Sequence, residues 1–384
     1  MKTVRKILAI ETSCDETALA LVEVDISDSH ITAKEIRSEL FSQIDIHKEF
    51  GGVFPAVAKR EHARHAPLLL EKMLEKKTAH GETETAADIW QQIETLLERE
   101  PNLFEKTKEV LLTNQKPDID LIAVTQGPGL EPALWVGINF ARALSLYWNI
   151  PLVGTNHMKG HIFSVLLNQQ SIAFPALALL ISGGHTELVE MNSISDFTII
   201  GKTKDDAVGE SYDKVARMIG LEYPGGPKIA QLAQAARDAG IHSGDIKLPR
   251  PMISTKDLDF SFSGLKTAAL YKVREFEILN DTIKMHIAHE FEEAVTDVVL
   301  AKITRALESK PYQTLIISGG VIANSYLRQR LERLASELDI PLLLPKLADS
   351  TDNAQMIAVA GALESLNTKP QINPELQAFG NLSY

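Results

Sequence analysis

The sequence contains one structural pattern twice, and this repeat limits the possible folds more than any other feature. Each copy has two apolar segments joined by a polar turn, and later a third apolar segment that passes through a glycine turn into a helical segment. The first copy starts at residues 6–10 and has its glycine turn at residues 127–129, whereas the second starts at residues 176–181 and has its glycine turn at residues 318–320. Short apolar runs between such turns are typical of strands in α/β proteins. We therefore predict a duplicated α/β fold of two lobes, with a ligand in the cleft between them.

The hairpin turns of the two copies contain the residues of chemical interest. The first includes Glu11 and Asp15, and both an ordinary solvated turn and a functional turn fit these residues. The second, at residues 182–185, is rich in glycine. Glycines allow backbone amides to approach a phosphate, and a Cβ at Gly184 is expected to occupy that space. Helices that follow glycine turns also aim their terminal amides at an anion.

A histidine pair lies between the two copies. His157 and His161 are four residues apart, so in a helix their side chains lie on one face and can share a divalent ion. The alternative is two polar histidines at the start of a half-buried helix, and the spacing leaves both open. Zinc proteases of the HExxH type have Glu directly after the first His, and here that position is Met158. A metal pair in this chain therefore belongs to another class.

Composition excludes several classes of protein. No stretch of the 384 residues has the length and apolar character of a membrane span, and the first residues lack the features of a secretion signal. Cys14 is the single cysteine, which excludes a disulfide framework and a cysteine-rich zinc site. We therefore expect a cytoplasmic protein without a membrane association.

The net charge of −12 argues against nucleic-acid binding over the whole surface and leaves a local basic patch possible. Two groups of basic residues are candidates, and for each single residue an ordinary solvated side chain is the simpler interpretation. The first group is Lys59, Arg60, Arg64 and His65, and the second is Lys202, Lys204, Lys214, Arg217 and Lys228.

An insertion interrupts the first copy at about residues 76–116. Residues 82–100 are acidic, and Ile89, Ile93 and Leu96 have helical spacing. Pro101 then precedes a second short amphipathic segment. We predict a helical hairpin whose apolar face packs on the first lobe, and we assign it no function.

The order of the motifs resembles one protein family, the TsaD family of tRNA N6-adenosine threonylcarbamoyltransferases, once described as glycoproteases. The resemblance covers nearly the whole chain except the insertion. It is carried by residues 11–17 (ETSCDET), 127–129 (GPG), 157–161 (HMKGH), 182–186 (SGGHT), 212–214 (YDK), 223–227 (YPGGP), 260–267 (FSFSGLKT), 319–324 (GGVIAN) and 351–353 (TDN).

The resemblance implies the fold shared by actin, sugar kinases and heat-shock chaperone ATPases (the ASKHA fold), with two lobes and an interlobe cleft. We place the N-terminal lobe at residues 1–150 and the C-terminal lobe at residues 151–384. The implied reaction transfers the threonylcarbamoyl group of threonylcarbamoyl-AMP to N6 of the adenosine 3′ of the anticodon, in tRNAs that read codons starting with A. The product is t6A.

The resemblance also implies site residues. One metal ion, iron or zinc, is expected on His157, His161 and Asp352. The adenylate site is expected to involve Leu180, Ile181, Ser182, Gly183, Gly184, Asp213, Gly226 and Asn324. Asp213 and Asn324 also fit a helix-capping role, which favours Asp and Asn. Three residues are candidates for proton transfer, and the sequence does not choose among them: Asp15, Glu11 and His185.

The expected partners are tRNA, a paralogous TsaB-like protein and a small TsaE-like ATPase. An ATPase or kinase-like protein on the same fold is the alternative, but it leaves the two histidines and Asp352 unexplained. A catalytically inactive scaffold is expected to lack one of these ligands, and all three are present.

Overall fold

The computed structural model of the chain describes residues 3–27, 31–77, 87–168, 171–241 and 246–384. The chain forms two units, the first comprising Met1–Ser171 with Asp352–Tyr384 and the second comprising Ile172–Thr351. The strands of the first unit are β1 (Thr3–Glu11), β2 (Glu16–Ile26), β3 (Ile31–Ser42), β4 (Leu121–Gly127) and β5 (Leu152–Asn156). Those of the second are β6 (Ala176–Ile181), β7 (Thr186–Ser193), β8 (Asp196–Lys202), β9 (Thr314–Ser318) and β10 (Leu342–Leu343).

Helices cover much of the remaining described chain. The first unit contains α1 (Ile44–Lys48), α2 (Pro55–Met73), α3 (Ala87–Leu96), α4 (Pro101–Thr113), α5 (Glu131–Trp148) and α6 (His157–Phe163). The second contains α7 (Val208–Met218), α8 (Gly225–Asp238), α9 (Ser263–Arg274), α10 (Asp281–Ser309) and α11 (Ser325–Glu337), and α12 (Ala354–Asn367) returns to the first. Short 3-10 helices occupy Ser164–Asn168, Gly320–Ala323 and Leu347–Asp349.

The two sheets have the same topology, which confirms the predicted duplication. The strand order is β3-β2-β1-β4-β5 in the first unit and β8-β7-β6-β9-β10 in the second. In each sheet the first three strands are antiparallel and the last three are parallel. Glycine turns follow β4 and β9, as expected. The central strands β1, β4, β6 and β9 are apolar and mostly buried because helices or neighbouring strands cover them.

The predicted lobe boundaries differ from the units of the structure. The prediction placed residues 151–384 in one lobe, but β5 pairs in parallel with β4, and α12 packs on β1, β2 and β5. Residues 151–171 and 352–384 therefore belong to the first unit. The error arises because a strand partner and a returning helix leave no signal in the order of the motifs.

The described part of the insertion packs on the first unit, as predicted. Ile93 of α3 is fully buried, as are Leu103 and Val110 of α4, in the same core as β1, β4 and α5. Residues 78–86 of the predicted insertion lie outside the described residues. None of the helices in the described part of the chain combines the length and apolar composition needed to cross a bilayer.

Candidate metal site and nucleotide cavity

The histidine pair lies on a short, well-capped helix. Helix α6 begins directly after β5, and the side-chain oxygen of Asn156 accepts the N–H groups of Met158 and Lys159 at 2.8 and 3.2 Å. A Cβ at Gly160 would lie 3.0 Å from Cδ1 of Ile357, so glycine lets α6 pack closely on α12. This packing matters for the site because Asp352 lies just before α12.

His157, His161 and Asp352 come together in the first unit, as the resemblance implies. Oδ1 of Asp352 lies 3.0 Å from Nε2 of His161 and 3.3 Å from Nε2 of His157. One ligand atom from each residue lies within 4.8 Å of the others. The pair is buried, with His157 5% and His161 1% exposed.

The residues present fit a metal ion. Both ring nitrogens of His161 are buried; Nδ1 makes no hydrogen bond, and Nε2 faces the Asp352 carboxylate at 3.0 Å. A metal ion would give Nε2 of His161 and the Asp352 carboxylate a shared partner in this buried position. Two imidazoles and one carboxylate form a donor set suited to iron or zinc, and three donors leave coordination positions for further ligands.

Glu11 lies behind His157 and is fully buried. Its two oxygens accept hydrogen bonds from the Ser13 N–H at 2.5 Å and the Thr125 hydroxyl at 2.5 Å. Burial alone would raise the pKa of Glu11, but the charge and hydrogen bond of His157 lower it below its ordinary value. Burial alone would lower the pKa of His157, but the charges of Asp352 and Glu11 raise it well above its ordinary value. The two carboxylates on either side of His157 therefore stabilise a positive charge at its ring.

The turn that contains Asp15 is buried rather than solvated. Asp15 is 8% exposed, and its backbone oxygen accepts the N–H of Gln43. Burial, together with the negative charges of Asp15 and Asp352, raises the pKa of the neighbouring Glu16 to about 10. Burial also raises the pKa of the Cys14 thiol well above its ordinary value, so it remains protonated at neutral pH.

The second unit contains a cavity of about 450 Å³. Three helices begin at it, with Gly209 of α7, Gly226 of α8 and Ser325 of α11 in its wall. Helix N-termini present N–H groups without intrahelical partners and carry partial positive charge, so this cavity suits a phosphate-bearing ligand.

Four of the predicted nucleotide residues line this cavity and four do not. Those in the wall are Gly183, Asp213, Gly226 and Asn324. Leu180 and Ile181 are fully buried in β6, and Ser182 and Gly184 lie in the adjoining turn. A Cβ at Gly184 would meet no protein atom within 4 Å, and the glycine of this turn that borders the cavity is Gly183.

Asp213 and Asn324 both stabilise helix starts, which was the alternative that the sequence left open. Oδ1 of Asp213 accepts the Gly225 N–H at 2.7 Å. Oδ1 of Asn324 accepts the Leu327 N–H at 2.9 Å, and its Nδ2 donates to Glu292 at 2.6 Å. The sequence interpretation missed Gly209 and Tyr212, which also line the cavity. Gly209 opens a helix directly after a polar segment, a pattern that could have indicated it.

His185 lies in the β6–β7 turn of the second unit, where its N–H donates to the Ser182 hydroxyl at 3.1 Å. Glu11 and Asp15 belong to the first unit. Within either unit, therefore, the three predicted proton-transfer residues are not all brought together.

Most residues of the two predicted basic groups lie close to acidic side chains. Glu61 lies near Arg60, Arg64 and His65, and Lys59 contacts Glu100. In the second group Lys204 pairs with Asp259, Lys214 with Asp206 and Glu210, and Lys228 with Glu222. For most of these residues, the structure therefore favours an ordinary surface side chain over a contact with nucleic acid.

Comparison with known proteins assigns a family to this arrangement. The model of the TsaD family, described as tRNA N6-adenosine threonylcarbamoyltransferase, matches residues 34–83 and 102–359. A protein of that name from Thermosipho melanesiensis is 40% identical over 355 residues, covering 92% of this chain and 93% of the relative. Another from Burkholderia ambifaria is 39% identical over 375 residues, covering 96% and 95%.

A solved structure shares the fold. The phosphate- and nucleotide-bound form of full-length HypF gives a TM-score of 0.50 at 12% identity, covering 95% of this chain and 47% of HypF. At this identity the likeness concerns the fold alone.

Proposed function

Because this chain belongs to the TsaD family of tRNA N6-adenosine threonylcarbamoyltransferases, we propose that it forms t6A by metal-assisted transfer from threonylcarbamoyl-AMP. It is a transferase that modifies tRNA. The acceptor is N6 of the adenosine 3′ of the anticodon in tRNAs that read codons starting with A. The observation that carries the mechanism is the cluster of His157, His161 and Asp352, in which one ligand atom from each residue lies within 4.8 Å of the others and both histidines are buried.

Nε2 of both histidines and a carboxylate oxygen of Asp352 would hold the metal, and iron or zinc suits these donors. When bound, the ion supplies a Lewis acid for the carbamoyl carbonyl. Glu11 acts behind the site, since its two oxygens already accept hydrogen bonds from Ser13 and Thr125. Glu11 therefore orients the ring of His157 through Nδ1 and does not carry a proton to or from the substrate.

The adenylate of the substrate occupies the cavity of the second unit. Its volume of about 450 Å³ falls within the range of about 300–1,000 Å³ typical of small-molecule sites. The N-terminal turns of α7, α8 and α11 supply backbone amides to the phosphate. Asp213 and Asn324 fix the starts of α8 and α11, so they shape the cavity through the backbone.

The amine of adenosine is a weak nucleophile, so it requires positioning and removal of a proton. AMP leaves readily, and no covalent intermediate with the protein is required. Asp15 and His185 remain the candidates for proton removal. Of the two, Asp15 lies in the same unit as the proposed metal ligands, which favours it for this role.

We further propose that the protein works with a TsaB-like paralogue and a small TsaE-like ATPase. Two observations support a need for partners. The net charge is −12, and acidic neighbours compensate most residues of the two basic groups. A polyanionic tRNA therefore meets little uncompensated positive charge on these groups, and a partner protein would provide it.

The test is mass spectrometry of tRNA nucleosides from cells depleted of this protein. Depletion should abolish t6A, and wild-type protein should restore it. His161→Ala should fail to restore t6A although it folds, whereas His286→Ala, on α10 of the second unit, should restore it. Unchanged t6A after depletion would refute the proposed function, and full restoration by His161→Ala would refute the metal assignment.

A further inference from the structure

The segment 371–383, here named the strap, lies on the first unit. It contacts Asn156, which caps the helix of the histidine pair, and the glycine turn that follows β4. It follows α12 and begins with a bridge between Gln371 and Leu152 of β5. Leu376 and Ala378 pack against the core of the unit. The family match ends at residue 359, so the family model assigns nothing to this segment.

The first contact is with the residue that caps α6. Nδ2 of Asn156 donates to the backbone oxygens of Ser383 at 3.1 Å and Leu382 at 3.5 Å. Because these carbonyls hold Nδ2, the other end of the same amide, Oδ1, points at the first N–H groups of α6. A seven-residue helix has little stability of its own, so its cap strongly influences where its side chains lie. His157 is the first residue of that helix.

The second contact is with the glycine turn after β4. The Phe379 N–H donates to the backbone oxygen of Gln126 at 3.0 Å, and the Gly129 N–H donates to the backbone oxygen of Gly380 at 3.3 Å. The strap presses on the turn so closely that a Cβ at Gly127 would overlap the Phe379 oxygen. Gly127 also has a φ of +152°, a backbone angle that residues other than glycine rarely adopt.

The same turn leads to the other face of His157. The Leu130 N–H donates to the Ser13 oxygen at 2.7 Å, and the Ser13 hydroxyl lies 3.3 Å from Nδ1 of His157. The strap therefore reaches His157 by two routes, through the cap of its helix and through the turn that holds Ser13.

We propose that the strap is a positioning element of the metal centre, which holds His157 and His161 in the geometry that faces Asp352. The inference rests on the metal assignment proposed above. Residues outside the ligand set that orient metal-binding histidines typically change metal affinity by about 10- to 100-fold. The contacts described above are with Asn156 and the turn, so the effect of the strap on the metal passes through them.

The experiment follows the loss of zinc from loaded protein to an excess of a chromophoric chelator. A variant that ends at Ala378 keeps the core contacts of the strap and removes residues 379–384. We expect it to lose zinc about tenfold faster than wild type. Asn381→Ala, which changes an exposed side chain of the strap and leaves its backbone contacts in place, is the matched control and should lose zinc at the wild-type rate.

Asn156→Asp in the full chain separates the cap from the strap. Aspartate keeps the oxygen that caps α6 and replaces the donor that faces the Leu382 and Ser383 carbonyls with a second oxygen. An added carboxylate near the metal would by itself slow the loss of zinc, so a faster loss reports the broken strap contact. If strap and cap act together, the combined variant should lose zinc no faster than the truncated one.

Wild-type rates in both the truncated chain and Asn156→Asp would overturn the proposal, and so would independent, additive effects of the two changes. Should the truncated chain fail to fold, Asn156→Asp decides the matter alone. Failure of wild-type protein to bind zinc or iron stoichiometrically would instead overturn the metal assignment, which distinguishes the two claims.

Discussion

Glu11 accepts a hydrogen bond from His157, with 3.0 Å between Oε2 and Nδ1. Because the pKa of Glu11 lies below its ordinary value, the carboxylate is ionised at neutral pH and can only accept. In the neutral form that binds a metal, the proton of His157 is therefore on Nδ1, which leaves the lone pair of Nε2 for the ion. Carboxylate partners of this kind commonly fix the tautomer of metal-binding histidines.

Replacement of this carboxylate should weaken the metal site. In Glu11→Gln the amide can donate to Nδ1, which favours the wrong tautomer of His157. We expect metal affinity to fall by about 10- to 100-fold with little change in fold. Competition with a chelator measures the affinity, and circular dichroism checks the fold. Wild-type affinity in this variant would show that Glu11 does not orient His157.

Gly183 and Gly184 should respond differently to substitution. Gly183 borders the cavity of the second unit and Gly184 does not, while a Cβ at either meets no protein atom within 4 Å. Gly183→Leu should fill space needed by the adenylate and lower AMP affinity by about tenfold, or about 1.4 kcal/mol. Gly184→Leu is the matched control and should bind AMP nearly as wild type does. Calorimetry measures both, and equal losses would place the nucleotide elsewhere along the turn.

His62 should make the protein sensitive to mild acid. It is buried against Cys14 and Thr17, and burial lowers its pKa from 6.5 to about 4. Between pH 6.5 and 4 the unfolded chain therefore binds a proton at this position that the folded chain does not. The contribution of this residue to stability should therefore fall as the pH decreases through this window, by about 2 kcal/mol at pH 5.

The measurement compares urea unfolding at pH 7 and pH 5. His62→Gln should lose less stability between these pH values than wild type, whatever its stability at pH 7. His286→Gln should keep the wild-type pH dependence. An identical pH dependence in His62→Gln and wild type would contradict the assignment of this proton uptake to His62.

Binding of tRNA to the isolated chain should be weak and dependent on salt. Lys202 is exposed, whereas Lys204 pairs with Asp259 at 2.6 Å. If Lys202 contacts a phosphate, Lys202→Glu should reduce the slope of log affinity against log salt by about one. Lys228→Glu, at a lysine that pairs with Glu222, should have a smaller effect. Wild-type slopes and t6A formation in both variants would place the tRNA on another surface or on a partner.

The sequence predicted the parts of the fold that local patterns control. Alternating turns and apolar runs gave the β1–β2 and β6–β7 hairpins and the helices after the glycine turns. The strand β3, the long helix α10 and the return of α12 to the first unit were not predicted. Their places depend on contacts between distant segments, which single-sequence periodicity does not report.

The site was predicted in the same uneven way. The spacing of His157 and His161 indicated a metal pair. Asp352 came only from the family resemblance, because it lies almost two hundred residues away, where the chain re-enters the first unit just before α12. The sequence offered no means to separate Gly183 from Gly184, because the direction of a turn relative to a cavity is set by packing. It also treated the turn at Glu11 as possibly solvated, although the structure buries it.

Transfer of the threonylcarbamoyl group by purified protein tests the central claim most directly. The protein is incubated with the proposed TsaB-like and TsaE-like proteins, labelled threonylcarbamoyl-AMP and one of two tRNA transcripts that carry either adenosine or guanosine 3′ of the anticodon. We predict label in the adenosine transcript, none in the guanosine transcript, and none in either with His161→Ala. Absence of transfer to the adenosine transcript, or equal labelling of both transcripts, would contradict the account.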